Sequence, residues 1–323
     1  MSTVALKEEI YLHSLLEVVE QRLHEVASCS NTMGELASQV IKAGGKRLRP
    51  LLVILSSWKE DNDWEPVIDV AVAAELLHTA SLVHDDIIDR ADTRRGVPTI
   101  NVTQGNHTAV MTGDYLFARA LSLLSKQRTC SALSFMVDAI QAMCEGIMEE
   151  MASLFDPTVT EKDYFSRIDK KTASLVAACC GAGAAVSGAS PEEVEDRAAF
   201  GRNLGLSFQI IDDILDFTSD EETLGKPAGS DLNQGILTLP VIYLLQHADY
   251  DSCIKDILTN RSCTSTDLSY IQHAAQKTAC ISKAFNKARE FQEKAKSHLN
   301  FLPATPVHTI LHRITDMVTA RKN

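Results

Sequence analysis

The chain has 323 residues, 45% of them hydrophobic, enough for a substantial core in one large domain or two ordinary ones. Its net charge of −12 argues against nucleic acid as a partner, although bound metal ions can still bring in anionic ligands. Eight cysteines without a CxxC pair or metal-ligand spacing, among them Cys144, Cys179 and Cys180, read as reduced core thiols of a cytoplasmic protein.

Between nine widely spaced prolines run long stretches rich in Ala, Leu, Glu, Ile and Val, and no regular turn spacing suggests β structure. The expectation is one all-α domain over 1–323, a helical bundle around a central cavity. The first helices are predicted at 4–26 and 31–43, and no charged-then-apolar leader precedes them. The stretch GGKRLRP (44–50) follows. Its two glycines can end a helix or admit an anion to the backbone, and Lys46 and Arg49 can face the same way. Taken alone, this stretch is equally a plain helix start, and it is not a P-loop.

Helices at 49–60 and 66–92 come next. The second is apolar around most of its circumference, the mark of a buried helix, yet it ends in SLVHDDIIDRADTRRG (81–96). Asp85 and Asp89 are i and i+4, so their carboxylates share a face, with Asp86 beside them and Arg94 and Arg95 just beyond. Helices at 104–126, 130–153 and 160–187 follow, the last opened by a capping box of Thr160 and Asp163 and carrying KTASL from Lys171. Its run LVAACCGAGAAVSGA (175–189) reads as a tightly packed core helix rather than a membrane span.

The helix at 191–218 starts from an N-cap at Ser190 with Pro191 at its first position. It too is read as central, and it ends in FQIIDDILDF (208–217), so that Asp212, Asp213 and Asp216 repeat the first pattern. After Lys226 in LGKPAGSD, helices are predicted at 236–248, 266–298 and 305–320.

Each acid cluster is locally unfavourable by about 1 kcal/mol or more, because like charges repel at this spacing and acids at a helix C-terminus oppose the macrodipole. Rules broken in this way mark function, and the cost implies a bound cation. Oxygen ligands without His or Cys favour Mg²⁺ or Mn²⁺, held by a few carboxylates together with phosphate oxygens. The alternative, a solvated acidic helix end, accounts poorly for two copies. The surrounding Lys and Arg residues suit a second diphosphate bound directly.

Together GGKRLRP, LLHTASLVHDDIIDRADTRRG, KTASL, FQIIDDILDF and GKPAGSDLNQGILTLP resemble the trans-polyprenyl diphosphate synthases, notably the medium- and long-chain bacterial members. The resemblance implies that isopentenyl diphosphate is condensed with an allylic diphosphate. Lys46, Arg49, His78 and Arg95 would bind the diphosphate of isopentenyl diphosphate. Asp85 and Asp89 would bind Mg²⁺ with Asp212, and with Asp216 as a further candidate. Arg94, Lys171 and Lys226 would hold the allylic diphosphate, and Thr172 and Gln209 would lie near the developing cation. It also implies a homodimer, or a heterodimer with a second, unlike synthase subunit, with product released near a membrane. Ile236 stands where many relatives carry lysine, which puts one allylic contact in doubt.

Walking back from Asp85 along the helix meets Ser81, Leu77 and Ala74, with Ala80 bordering the same face. These are candidate determinants of product length, and the absence of an aromatic plug there favours more than four isoprene units. Close packing of central helices would also explain the small residues. Shorter-chain synthesis, a non-catalytic partner subunit and a terpene cyclase are the other readings. A phosphohydrolase built on His84 and the aspartates explains neither DDILD nor GGKRLRP, and His84 reads more simply as a packed histidine.

Overall fold

The computed structural model describes residues 3–28, 31–59, 61–218, 229–261, 263–299 and 305–320, and their regular structure is almost entirely helical. The helices are α1 (Thr3–Ala27), α2 (Thr32–Lys42), α3 (Leu48–Ser56), α4 (Trp64–Ile88), α5 (Ile100–Gln104), α6 (Asn106–Leu124), α7 (Leu133–Ala152) and α8 (Glu161–Ile168). They continue with α9 (Ser174–Val186), α10 (Pro191–Thr218), α11 (Ser230–Asn233), α12 (Leu239–Leu244), α13 (Asp251–Thr259), α14 (Ser265–Lys277), α15 (Cys280–Ser297) and α16 (Pro306–Ala320). Two-residue strands β1 (Thr93–Arg94) and β2 (Val97–Pro98) pair antiparallel.

Contacts divide the chain into two compact units. The first comprises Met1–Ile140, Ala178–Ala198 and Ala304–Val307, and the second Gln141–Ala177, Ala199–Pro303 and His308–Asn323.

In the first unit α4 is the central element. It packs most extensively on α6, then on α3 and α1. It is long and apolar enough to cross a membrane by composition, but 83% of its most apolar window is buried within the protein. Asp63 caps its start by accepting from the Glu65 amide. Beside that end Trp58, Trp64 and Tyr11 meet edge to face, with ring centres 5.1–5.9 Å apart. Gly183 of α9 lets α3 approach, since a Cβ there would lie 2.3 Å from the Val53 carbonyl oxygen.

In the second unit the core gathers Tyr164, Arg167 and Ile168 of α8 with Leu204, Ile210, Ile211, Ile214 and Phe217 of α10 and the buried α12. The Thr160–Asp163 capping box is present, and Ser190 caps α10 reciprocally with Glu193.

Several sequence expectations are corrected. The helix expected at 66–92 stops at Ile88. Arg90 adopts a left-handed conformation (φ 51°), the Ala91 amide bonds Asp86 O and the Arg90 amide bonds Ile87 O. This is a Schellman ending without its usual glycine. The helix expected at 160–187 is interrupted by a π turn at Asp169–Ala173. The one expected at 266–298 breaks where Ala279 is left-handed (φ 57°). The segment 236–248 yields only Leu239–Leu244, and α13 was not foreseen. The first third of α10 is only partly covered, with full burial beginning at Phe200. Cys144 is exposed, whereas Cys179 and Cys180 are buried.

Candidate active site

The first unit assembles a cationic cradle beside the first acid cluster. Gly44 takes a positive φ of 81° and Arg47 one of 49°, which turns the chain sharply into α3. Arg47 is committed to holding this turn. Its guanidinium donates to both oxygens of Glu20 at 2.7 and 2.8 Å, to the buried Glu75 at 2.9 Å, and to Ile41 O at 3.1 Å. Lys46 stays exposed beside it.

The β hairpin brings Arg94 and Arg95 back toward α4. Its two turn residues, Arg95 and Gly96, both have positive φ (53° and 77°), as a type I′ turn requires. Arg95 lies against the glycine loop, its guanidinium 3.0 Å from where a Cβ on Gly45 would be. Gly45 therefore leaves the space this side chain occupies.

The electrostatics of the cradle follow. His78 lies well below the ordinary imidazole range, first because it is buried and then because the charges of Arg49, Arg95, Arg94 and Arg47 oppose another cation. Burial lowers Arg49 and Arg95 as well. The Nε of Arg49 is buried and makes no hydrogen bond. A neutral imidazole and an unsatisfied buried guanidinium N–H, among several positive charges, suit an anion rich in acceptor oxygens.

The three aspartates of the first cluster have distinct surroundings. Asp85 is half-buried in the last turn of α4, and Asp89 is the exposed C-cap residue. Asp86 is buried and accepts from Arg94 Nε at 2.5 Å. Burial raises its carboxyl above the usual range, and Arg94 counteracts that. Thus Arg94 and Asp86 are brought to each other. His84 packs on Gly113 and Phe117 and approaches Val110 O at 3.2 Å, as the packed reading expected. Ala74, Leu77, Ala80 and Ser81 are all buried in α4, and Ser81 Oγ donates to His78 O at 2.9 Å.

The second unit assembles a polar chain. Thr172 Oγ1 donates to Gln209 Oε1 at 2.8 Å, Gln209 Nε2 donates to Asp213 Oδ1 at 2.7 Å, and Tyr164 donates to Asp213 Oδ2 at 2.7 Å. Burial pushes the Asp213 carboxyl up to about 6 against these bonds. Asp212 is exposed. Asp216 is buried and accepts from the Asp231 amide at 3.1 Å, while its own carbonyl receives the Gly229 amide at 2.8 Å. Lys171, within the π turn, reaches Glu150 at 2.5 Å. Single π turns often mark functional sites, and this one is accommodated by close approaches at Gly146 and Gly205. Ile236 is half-buried, its amide bonded to Asp231 O at 2.8 Å. Lys226 lies outside the described residues.

Sequence reasoning missed Tyr164, Arg167, Glu150, Glu20 and Glu75. Arg167 is buried, donates to Leu237 O at 2.7 Å and stacks on Tyr164. Their hydrogen-bond partners are 21 to 70 residues distant, so no local spacing exposes them.

Among the described residues, no group of three or more His, Cys, Asp or Glu side chains is already gathered to hold a metal ion. The donor set, paired Asp carboxylates without His or Cys, fits a hard divalent ion that takes its remaining oxygens from water and diphosphate.

The polyprenyl synthetase family model matches residues 30–281. Heptaprenyl diphosphate synthase component 2 of Bacillus subtilis (strain 168) is 38% identical, over 97% of this chain and 89% of that protein. A short chain isoprenyl diphosphate synthase of Methanothermobacter thermautotrophicus is 35% identical, over 97% of this chain and 98% of its own length. The crystal structure of heptaprenyl diphosphate synthase from Staphylococcus aureus superposes with a TM-score of 0.89 at 33% identity, covering 97% of this chain and 99% of that one.

Proposed function

We infer the reaction from one premise: this chain belongs to the polyprenyl synthetase family and is a prenyltransferase acting on isoprenoid diphosphates. Within that class, residues 1–323 form one synthase domain that condenses isopentenyl diphosphate with an allylic diphosphate into a medium- or long-chain all-trans product. The observation that carries the site assignment is the cradle in which Arg49 Nε is buried without a partner, beside His78, whose imidazole is pushed well below its ordinary range by burial and the neighbouring arginines.

In this reading Lys46, Arg49, His78 and Arg95 bind the diphosphate of isopentenyl diphosphate through direct hydrogen bonds. Asp85 and Asp89 in the first unit, and Asp212 in the second, would hold Mg²⁺ or Mn²⁺, which would neutralise charge on the departing diphosphate. Asp86 and Asp213 act by holding neighbours, Arg94 and Gln209 respectively. Lys171, Arg94 and Lys226 contribute positive charge for the allylic diphosphate. Asp216 braces α11 through the Asp231 amide. Thr172 and Gln209 present oxygen dipoles to the allylic cation. The buried small residues Ala80 and Ser81 leave the product room to grow past four units.

The relatives named heptaprenyl diphosphate synthase component 2 support pairing with an unlike subunit, with a homodimer as the alternative assembly. The cytoplasm, with release of an apolar product at a membrane, is the setting this chemistry suits.

The test is diphosphate release. The purified chain releases diphosphate from an allylic substrate only when isopentenyl diphosphate and a divalent ion are also present. A cyclase needs no second substrate, and a binding subunit releases nothing. Asp85→Ala and Asp212→Ala each lower turnover by a factor on the order of 10² or more while circular dichroism stays native. Full activity in excess chelator would refute the metal assignment.

A further inference from the structure

Tyr164 is wholly enclosed, with 0% of its surface exposed, and its ring is held from two sides. Phe165 meets it at 5.4 Å between ring centres, and the Arg167 guanidinium lies 5.5 Å from its own. Such packing leaves the phenol few orientations. Burial, and then the charge of Asp213, raise its pKa well above the ordinary phenol range, so it acts as a donor. It donates to one oxygen of Asp213 while Gln209 Nε2 donates to the other.

The consequence concerns the direction of an amide. A glutamine side chain can present either its oxygen or its NH₂ group, which exert opposite electrostatic effects on a nearby cation. Here the NH₂ end is bound by Asp213, so the oxygen end faces Thr172. Without the phenol, one Asp213 oxygen loses its donor and the carboxylate is free to turn. Gln209 is then no longer held to one orientation.

We propose that Tyr164 is a positioning residue for prenyl transfer, fixing the Asp213 carboxylate that in turn aims the Gln209 oxygen. The proposal rests on the reading that Gln209 and Thr172 lie beside the developing cation.

The test is a double-mutant cycle on the full chain. Tyr164→Phe keeps the ring and removes only the hydroxyl. Loss of a hydrogen bond to a buried carboxylate lowers kcat about ten- to a hundredfold, with both KM values held within about twofold. In a Gln209→Leu background the same substitution changes kcat by less than about twofold, because the group it aims is gone. Asp213→Asn, which replaces one acceptor with a donor and so turns the amide, gives the same kcat-only signature and serves if Tyr164→Phe does not fold.

An equal loss in both backgrounds overturns the proposal. So does a lower melting temperature with unchanged kcat per folded molecule, which is what mere packing predicts. If Gln209→Leu lowers kcat but Tyr164→Phe does not, the site assignment stands and the positioning role falls. If Gln209→Leu alone leaves kcat unchanged, the assignment of Gln209 to the reacting centre fails and takes the proposal with it.

Discussion

Gly205→Ala is the most informative single methyl in the second unit. A Cβ there would lie 2.7 Å from the Cα of Ala173 and 3.0 Å from its Cβ, with Val176 Cβ at 3.3 Å. Ordinary carbon contacts lie near 3.5–4.0 Å, so the π turn and α10 must separate by about 1 Å. The backbone of Ala173 cannot swing aside as a flexible side chain would. Two effects on stability oppose each other. Alanine favours a helix interior over glycine by about 1 kcal/mol, and overpacking costs about 1–3 kcal/mol. The net loss is therefore at most about 2 kcal/mol, a shift of a few degrees in Tm.

Activity suffers far more. The 2.8 Å bond from Thr172 to Gln209 crosses the same contact, one residue from Ala173 on one side and one turn from Gly205 on the other. Opening it by about 1 Å breaks the bond, and a misplacement of that size costs on the order of 10² in rate. Diphosphate release measures kcat, and a circular dichroism melt measures the fold. A Gly205→Ala protein that melts near the parental temperature and turns over at the parental rate would show that the close approach has no part in aligning these groups.

Two further outcomes are expected. Lys46→Ala and Arg49→Ala raise the KM for isopentenyl diphosphate more than that for the allylic substrate, because direct charge-assisted bonds carry the first. Steady-state kinetics with each substrate varied checks this, and a selective rise in the allylic KM reverses the two pockets. Ala80→Phe places a ring about one turn below Asp85 and shortens the product to roughly three or four units, whereas Leu77→Ala lengthens it. Chromatography of the dephosphorylated products decides, and an active Ala80→Phe enzyme with parental product length rules out this face as the tunnel floor.

What was legible in the sequence was what local chemistry dictates. The course of α10 from Pro191 to Thr218 follows from a serine cap, a proline start and a continuous helical pattern. The capping box at Thr160 was readable for the same reason. The paired aspartates stood out because they violate helix electrostatics.

The elements that escaped turn on residues with no strong backbone preference of their own. Arg90 and Ala279 take left-handed conformations that usually call for glycine or asparagine, so the ends of α4 and α14 carried no mark. Arg95-Gly96 forms a two-residue hairpin turn without the Asn-Gly or Asp-Gly signal. The π turn within KKTA is accommodated by close approaches at Gly146 and Gly205, which lie 24 or more residues away in the sequence. Likewise, nothing in DDIID or DDILD reveals that the middle aspartates are bonded to Arg94 and to Tyr164.

The chain contains two tryptophans, and both belong to the ring trio at the start of α4. Asp85 lies near the opposite end of that helix, about 30 Å along its axis. The intrinsic emission of this protein is therefore a single local reporter, placed far from the acidic turn. Denaturation followed by tryptophan emission tracks the parting of Trp58, Trp64 and Tyr11, whereas loss of turnover tracks groups elsewhere. The two curves are measurements of different places, and a gap between their midpoints would reveal a corner of the fold that loosens on its own.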